Sequence, residues 1–304
     1  MGQALFSVAP SSAANKLDVK QVDDSKIGSL PSNLTSLAAF EHGKSTYVLG
    51  YEKSTGKATV FEAYDEASGT FMKEIGSDAL PSGSAIVEPF HVARQPWFLT
   101  YDPASEYGEF VEVGADLSLK PVSYKAPIGT GFSTVHPFAY RYGMYFVAYD
   151  IENGHVARYQ LSVPAGGPMY AAKTWTDLWA QGWTRFAFFE FGGEIFFIKT
   201  NLKHEKVNID HFMDNANEGS HPVLDIDVPA QMAGLHAVST FSNARGDPYF
   251  VTYRSNGEMT YNRFYGNCLG WTVEANSNSI ANASLLCPFT VGAKNFVLLY
   301  AGAS

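Results

Sequence analysis

Charge is scarce in this chain. Asp, Glu, Lys and Arg make up 17% of its 304 residues, and the basic sign is the scarcer, 21 side chains against 30 acidic, for a formal charge of −9. No Lys/Arg run or basic stripe occurs. That removes nucleic acid and anionic membrane surfaces as expected partners, because both are bound through clustered positive charge. Cysteine is nearly missing too: only Cys268 and Cys287 occur, with no metal-ligand spacing around them. Two buried free thiols are expected rather than a disulfide framework. No apolar run is long enough to span a membrane. The N-terminus lacks the charged start and apolar stretch of a secretory signal, so the expected localisation is cytoplasmic, with any release by a non-classical route. No Gly-x-Ser-x-Gly elbow, phosphate-cradling glycine loop, dinucleotide fingerprint or Asp-rich calcium loop occurs. No cofactor is expected. His204 and the pair Asp210-His211 are the nearest approach to a metal site, but neighbours along a strand point to opposite faces, so no metal is expected either.

Aromatic residues, by contrast, are abundant at 14% of the chain, and they recur in order. The stretch His136 to Asp150 reads as two short aromatic strands around a glycine-bearing turn. Its anchor, Phe138, has counterparts at Phe40, Phe90, Phe189, Phe241 and Phe289, spaced 50, 48, 51, 52 and 48 residues apart. Each anchor is followed by a second aromatic strand, in five cases ending in tyrosine: Tyr51, Tyr101, Tyr149, Tyr253 and Tyr300. A second turn follows, with glycine in Ser54-Thr55-Gly56, Glu152-Asn153-Gly154 and Ser255-Asn256-Gly257, then a third strand and a more polar fourth. A β-rich unit of four strands repeating at about 50 residues is one propeller blade.

The ends of the chain complete the count. After Phe289 there is room for one further strand only. Ahead of Phe40, Gln3 to Ala9 and Leu17 to Val22 read as two strands. Together the two ends amount to about one period. The reading is an all-β, six-bladed β-propeller of four-stranded antiparallel blades, one domain over residues 1–304. Its last blade is closed by inner strands from Ser284 to Tyr300 and outer strands from Gln3 to Val22, which leaves no unpaired sheet edge at the joint.

The repeat also allows equivalent positions to be compared. Two residues before each anchor stand Ala38, Glu88, His136, Ala187, Ser239 and Cys287; five before stand Thr35, Ala85, Ser133, Thr184, His236 and Ser284. On the third strand the equivalents are Glu62, Glu112, Gln160, His211 and Arg263. The aromatic framework repeats and the polar residues do not, so six equal binding sites are not expected. One central asymmetric site, or a few retained ones, fits better. Glu88, His136, Arg185, His236 and Cys287 are the candidates near the channel or its rim, with Glu88 and His136 able to act as an acid–base pair. Trp175, Trp179 and Trp183 form a second candidate, since an indole face stacks on a sugar ring. The competing explanation is hydrogen bonding between neighbouring inner strands for the channel residues, and packing against the next blade for the tryptophans.

The clearest copies of the repeat, Gly131-Phe132-Ser133-Thr134-Val135-His136-Pro137-Phe138 and Gly182-Trp183-Thr184-Arg185-Phe186, resemble the blades of six-bladed propeller lectins and related repeat proteins of fungi and bacteria. The resemblance runs over the whole chain and implies a propeller that binds a glycan. Its motif residues are packing residues, so it carries over no binding residue, and the divergence of polar positions departs from a multivalent lectin. Three readings follow. The first is a non-catalytic, lectin-like propeller binding a glycan or small molecule in clefts between blades or at the channel mouth. The second is a single-site enzyme using Glu88 and His136 in a funnel at the channel, and the third is a protein-interaction scaffold.

Overall fold

Each anchor phenylalanine lies directly across a hairpin from an aromatic ring and stacks on it. The pairs are Phe40–Tyr47, Phe90–Trp97, Phe138–Tyr145, Phe189–Phe196, Phe241–Tyr249 and Phe289–Phe296, with ring centroids 5.4 to 6.4 Å apart and planes within 26°. The computed structural model describes residues 2–13, 16–65, 69–141, 143–162, 169–201, 203–212, 219–243 and 245–302. Tyr142, in the sequence between Phe138 and Tyr145, lies outside them.

The chain starts with β1 (Gly2–Pro10) and β2 (Leu17–Gln21), which belong to the last blade. The first blade is β3 (Ser36–His42), β4 (Ser45–Tyr51), β5 (Lys57–Ala63) and β6 (Met72–Ala79). The second is β7 (Ile86–Val92), β8 (Gln95–Tyr101), β9 (Tyr107–Val113) and β10 (Leu119–Pro127). The third is β11 (Thr134–Tyr140), β12 (Gly143–Tyr149), β13 (His155–Ser162) and β14 (Tyr170–Leu178). The fourth is β15 (Thr184–Phe191), β16 (Glu194–Asn201), β17 (Lys206–Phe212) and β18 (Ser220–Asp227). The fifth is β19 (Leu235–Ser242), β20 (Pro248–Arg254), β21 (Glu258–Phe264) and β22 (Trp271–Asn278). The sixth joins β23 (Leu285–Val291) and β24 (Lys294–Ala301) to the first two strands in the order β2-β1-β24-β23. All pairings are antiparallel, and the fold is the six-bladed propeller with the closure that the period predicts.

Alternation along each strand sends residues to the two faces of its sheet, and each face packs on a neighbouring blade. Six apolar clusters result, one at every joint of the ring. Phe197 and Phe212 meet Phe138 and Tyr149 between the third and fourth blades, and Leu5 and Phe289 meet Val48 and Phe61 between the sixth and first. Among the described residues no helix is long and apolar enough to cross a membrane. Both cysteines are buried and free, and burial pushes the thiols of Cys268 and Cys287 up to about 11 and about 12.

Two further devices repeat. The tyrosine ending the second strand donates its hydroxyl to a carbonyl in the segment leaving its blade: Tyr101 to Gly129, Tyr149 to Ala180, Tyr253 to Ile280 and Tyr300 to Pro31, all at 2.7 to 2.8 Å. The same oxygens accept backbone N–H groups of Phe132, Trp183, Ala283 and Leu34. The hydroxyl five residues before the anchor serves the other side, with Thr35, Ser133, Thr184 and Ser284 donating to the carbonyls of Tyr51, Tyr149, Thr200 and Tyr300 at the end of the second strand. The turn glycines Gly56, Gly154 and Gly257 have φ of 76°, 75° and 96°, and a Cβ on any of them would collide with the carbonyl of Leu80, Trp179 or Ser279. Because each phenol satisfies one acceptor and one donor, Tyr149→Phe is expected to cost about 1–3 kcal/mol. Denaturant melts should give Tyr253→Phe a similar loss, and an unchanged midpoint in both would reject the latch.

Candidate functional site

The inner strands ring the channel, and residues two before the anchors stand at one level around it. Glu88 on β7 and His136 on β11 therefore meet across the joint between the second and third blades. His136 Nδ1 lies 3.1 Å from Glu88 Oε2, with the side chains 28% and 34% exposed. A carboxylate only accepts, so Nδ1–H donates and the tautomer is fixed. No hydrogen bond to Nε2 occurs among the described residues. The opposite wall comes from the fourth blade. The Phe188 ring lies on the His136 imidazole, centroids 3.9 Å apart and planes within 8°, and Phe186 stands two residues before it on β15. Glu88, His136, Phe186, Phe188 and the Ser133-Thr134 step line a shallow depression of about 180 Å³. The other residues at this level, Ala38, Ala187, Ser239 and Cys287, supply no charge, and Cys287 is buried.

Arg185 sits next to this depression. It occupies the irregularity where the β15–β16 register shifts between Thr184 and Ala187, with a left-handed φ of 53°. Its side chain lines a separate cavity of about 360 Å³ with Glu152, Gln181, Lys203 and His204, on the joint between the third and fourth blades. His236 occupies the same kind of irregularity on β19 and packs edge-on against Tyr253, 6.0 Å between centroids. It does not join Glu88 and His136.

The three tryptophans go inward. Trp175 and Trp183 are 9% and 7% exposed, and they pack in the interface between the third and fourth blades. Gly219 lies against the ring of Trp175, and Trp179 packs against Tyr149, Phe186 and Phe197. The expected sugar platform of indoles is thus taken up by packing, and none of the three lines either cavity. The aromatic surface at the rim is Phe186 and Phe188, which the repeat does not single out. The signal was present in β15, whose Phe186, Phe188, Phe189 and Phe191 make it the inner strand richest in phenylalanine.

What the tryptophans enclose is a charge. Lys199 Nζ lies 4.0 Å from the Trp179 ring centroid, 4.8 Å from Trp183 and 5.3 Å from Phe197. It donates to Asp210 Oδ2 at 2.7 Å, and both side chains are almost completely buried. Burial lowers the Lys199 amine and raises the Asp210 carboxyl from their ordinary values, while their mutual attraction opposes both shifts. His211, beside Asp210 in sequence, takes a different partner, with Nε2 3.1 Å from Glu194 Oε2. The two side chains thus turn to different partners. Among the described residues no three His, Cys, Asp or Glu side chains gather as metal ligands.

No family model and no curated protein matches this chain. Solved structures do. The SapL1 lectin in complex with alpha methyl fucoside is similar at 11% identity, with 88% of each chain covered and a TM-score of 0.58. The periplasmic gluconolactonase PpgL of Pseudomonas aeruginosa is similar at 15% identity, over 94% of this chain and 85% of that one, with a TM-score of 0.57. An exo-beta-1,3-galactanase of Phanerochaete chrysosporium is similar at 10% identity, over 83% and 62%, with a TM-score of 0.52. At these identities the likeness is one of fold. A lectin, a lactonase and a glycosidase all stand among the propellers that share it.

Proposed function

We propose that this chain is a carbohydrate-binding, lectin-like propeller with one asymmetric site at the channel mouth. The observation that carries the reading is the contact of Glu88 with His136 beside Phe186 and Phe188, at a level where the other four blades offer no charge. The carboxylate and the Nε2 of the imidazole both accept from sugar hydroxyls, and a phenylalanine face covers the apolar face of a pyranose. A depression of about 180 Å³ has room for a single sugar unit rather than an oligosaccharide. The partial exposure of both polar residues suits reversible binding of a chain end.

A glycan array followed by calorimetry tests the reading. One sugar class should bind, and Glu88→Gln should weaken it by about 1.5–3 kcal/mol, roughly ten- to a hundred-fold, through loss of a charged hydrogen bond. No binding on either assay, or unchanged affinity in Glu88→Gln, rejects the site.

The 3.1 Å contact favours a second reading as well, since a carboxylate orienting an imidazole is an acid–base arrangement. On that reading the protein hydrolyses or isomerises the sugar it binds. Turnover of a bound sugar that disappears in a Glu88→Gln, His136→Ala double variant would establish it, and turnover unchanged in that variant would reject the assignment.

A further inference from the structure

Strands β16 and β17 hold an amine against a carboxyl inside a dry aromatic cage. Phe197 and Lys199 lie on one face of β16, and Phe197 is paired with Asp210 on β17, so Lys199 and Asp210 are diagonal neighbours on that face. Nζ and Oδ2 are 2.7 Å apart, and the two residues are 3% and 2% exposed. Trp179, Trp183 and Phe197 surround the amine. Asp210 Oδ1 is buried and makes no hydrogen bond among the described residues. The cage therefore satisfies one oxygen of the carboxyl and strands the other. Ser220, His221 and Asp225, from β18, act on the pair more weakly than burial and the mutual attraction of the two groups.

A proton shift along the hydrogen bond turns the ion pair into a neutral amine beside a neutral carboxyl, with no change in net charge. Burial favours that form, since it lowers the Lys199 amine and raises the Asp210 carboxyl. A desolvated lysine amine with a free lone pair is a nucleophile. Two groups fixed in contact react as though at an effective concentration of up to about 10⁵–10⁸ M, because the entropy of bringing them together is already spent by folding. The cage also keeps out the water that would reverse an acylation.

We infer that Lys199 and Asp210 are a site of intramolecular amide formation, at which the folded chain ties β16 to β17 by an isopeptide bond. The Nζ lone pair attacks Cγ of the protonated carboxyl. A C–N bond forms, one C–O bond breaks, and the hydroxyl leaves as water with a proton from the amine. No oxidant or further reactant is consumed. The product suits the cage better than the pair does. One carbonyl oxygen replaces two carboxyl oxygens, so the stranded acceptor is lost, and one N–H replaces the three of an ammonium. Two buried charges vanish with their desolvation cost. The bond falls in the blade that has Thr200 where Tyr51, Tyr101, Tyr149, Tyr253 and Tyr300 end the second strand in the others. The blade without that phenol is thus the one tied covalently. Until condensation occurs the pair is held by charge and hydrogen bond, and the uncondensed chain is the reference for the stability of variants at either residue.

The test is mass spectrometry of the full wild-type chain, denatured after storage for increasing times at temperatures below its melting transition. A growing fraction should be lighter by one water molecule, at a rate independent of protein concentration. In a tryptic digest of that fraction the chain should stay uncut after Lys199, and its peptide should be joined through the lysine side chain to the peptide carrying Asp210. Lys199→Met and Asp210→Leu should keep the full mass. If neither variant folds, the wild type carries the result, because the linked peptide is read directly. A wild-type chain that keeps its full mass and is cut after Lys199 at every time overturns the inference. Loss of a water with Lys199 still cut overturns it as well, since the dehydration then lies elsewhere in the chain.

Discussion

A chain lacking residues 2–21 is expected to have no cooperative melting transition as a monomer. β1 pairs with β24 from Gly2↔Ala301 to Val8↔Asn295, so its removal bares a long inner edge of the sixth blade. It also strips two joints at once. Leu5 packs in the cluster between the sixth and first blades, whereas Phe6, Val8 and Leu17 pack in the cluster between the fifth and sixth. These four side chains are 0%, 2%, 2% and 8% exposed. At about 1.5–3 kcal/mol each, their burial comes to roughly 6–12 kcal/mol, the size of the about 5–15 kcal/mol that holds a whole domain together. The bared edge is also a template for pairing with another chain, so soluble material should run as oligomers. Circular dichroism melts and size exclusion decide it. Addition of a peptide spanning 2–21 should restore the transition. A monomer melting like the full chain would show that the ring does not depend on its closing strands.

That closure was legible because it is arithmetic on a period. An anchor phenylalanine and its partner ring occur in every blade, so their spacing measures the blade directly, and a deficit at one end must be made good at the other. Glu88 and His136 were legible for the same reason: equal offsets from two anchors put two side chains at one level in adjacent blades. The logic fails where one blade departs from the others or where strands lose their alternation. Arg185 could not be placed, because a bulge shifts the face of every residue beyond it and leaves no mark in the residue order. The tryptophans misled for a different reason. Their residue type suits an exposed sugar platform and a blade interface equally well, and what decides between them is Lys199, a residue whose partner lies on another strand.

The asymmetry of the rim bears on function beyond the choice of ligand. A lectin that gains strength by repeating one weak site needs the same polar residues in each blade. This chain keeps the hydroxyls of Thr35, Ser133, Thr184 and Ser284 in four blades, and they all donate to backbone. What repeats is therefore spent on holding the ring. What differs from blade to blade is the polar set, Glu88 with His136 at the mouth among it.

Lys199→Met alone is expected to destabilise the protein by about 3–5 kcal/mol, because it leaves Asp210 buried and without a counter-charge. Asp210→Leu alone should cost less. The amine it strands still faces Trp179, Trp183 and Phe197, and each ring contributes about 0.5–2 kcal/mol to a desolvated cation. The double variant should recover most of either loss and could exceed the parent, since other blades fill these places without charge. Opposite Val48, Phe98 and Phe146, where Asp210 stands opposite Phe197, they carry Phe61, Val111 and Tyr159. In place of Lys199 they carry Gly50, Thr100 and Ala148. Denaturant melts of the two singles and the double give the coupling energy. If the double is as unstable as the two singles combined, the cost lies in the packing of the cage and not in the charge. Recovery in the double would mean the pair is retained for something other than stability. The fourth blade is also the one with Thr200 where the other five have the latching tyrosine. Lys199 and Asp210 pair within that blade, so what joins them to the third blade is the cage of Trp179 and Trp183, from the segment between the two, around the amine.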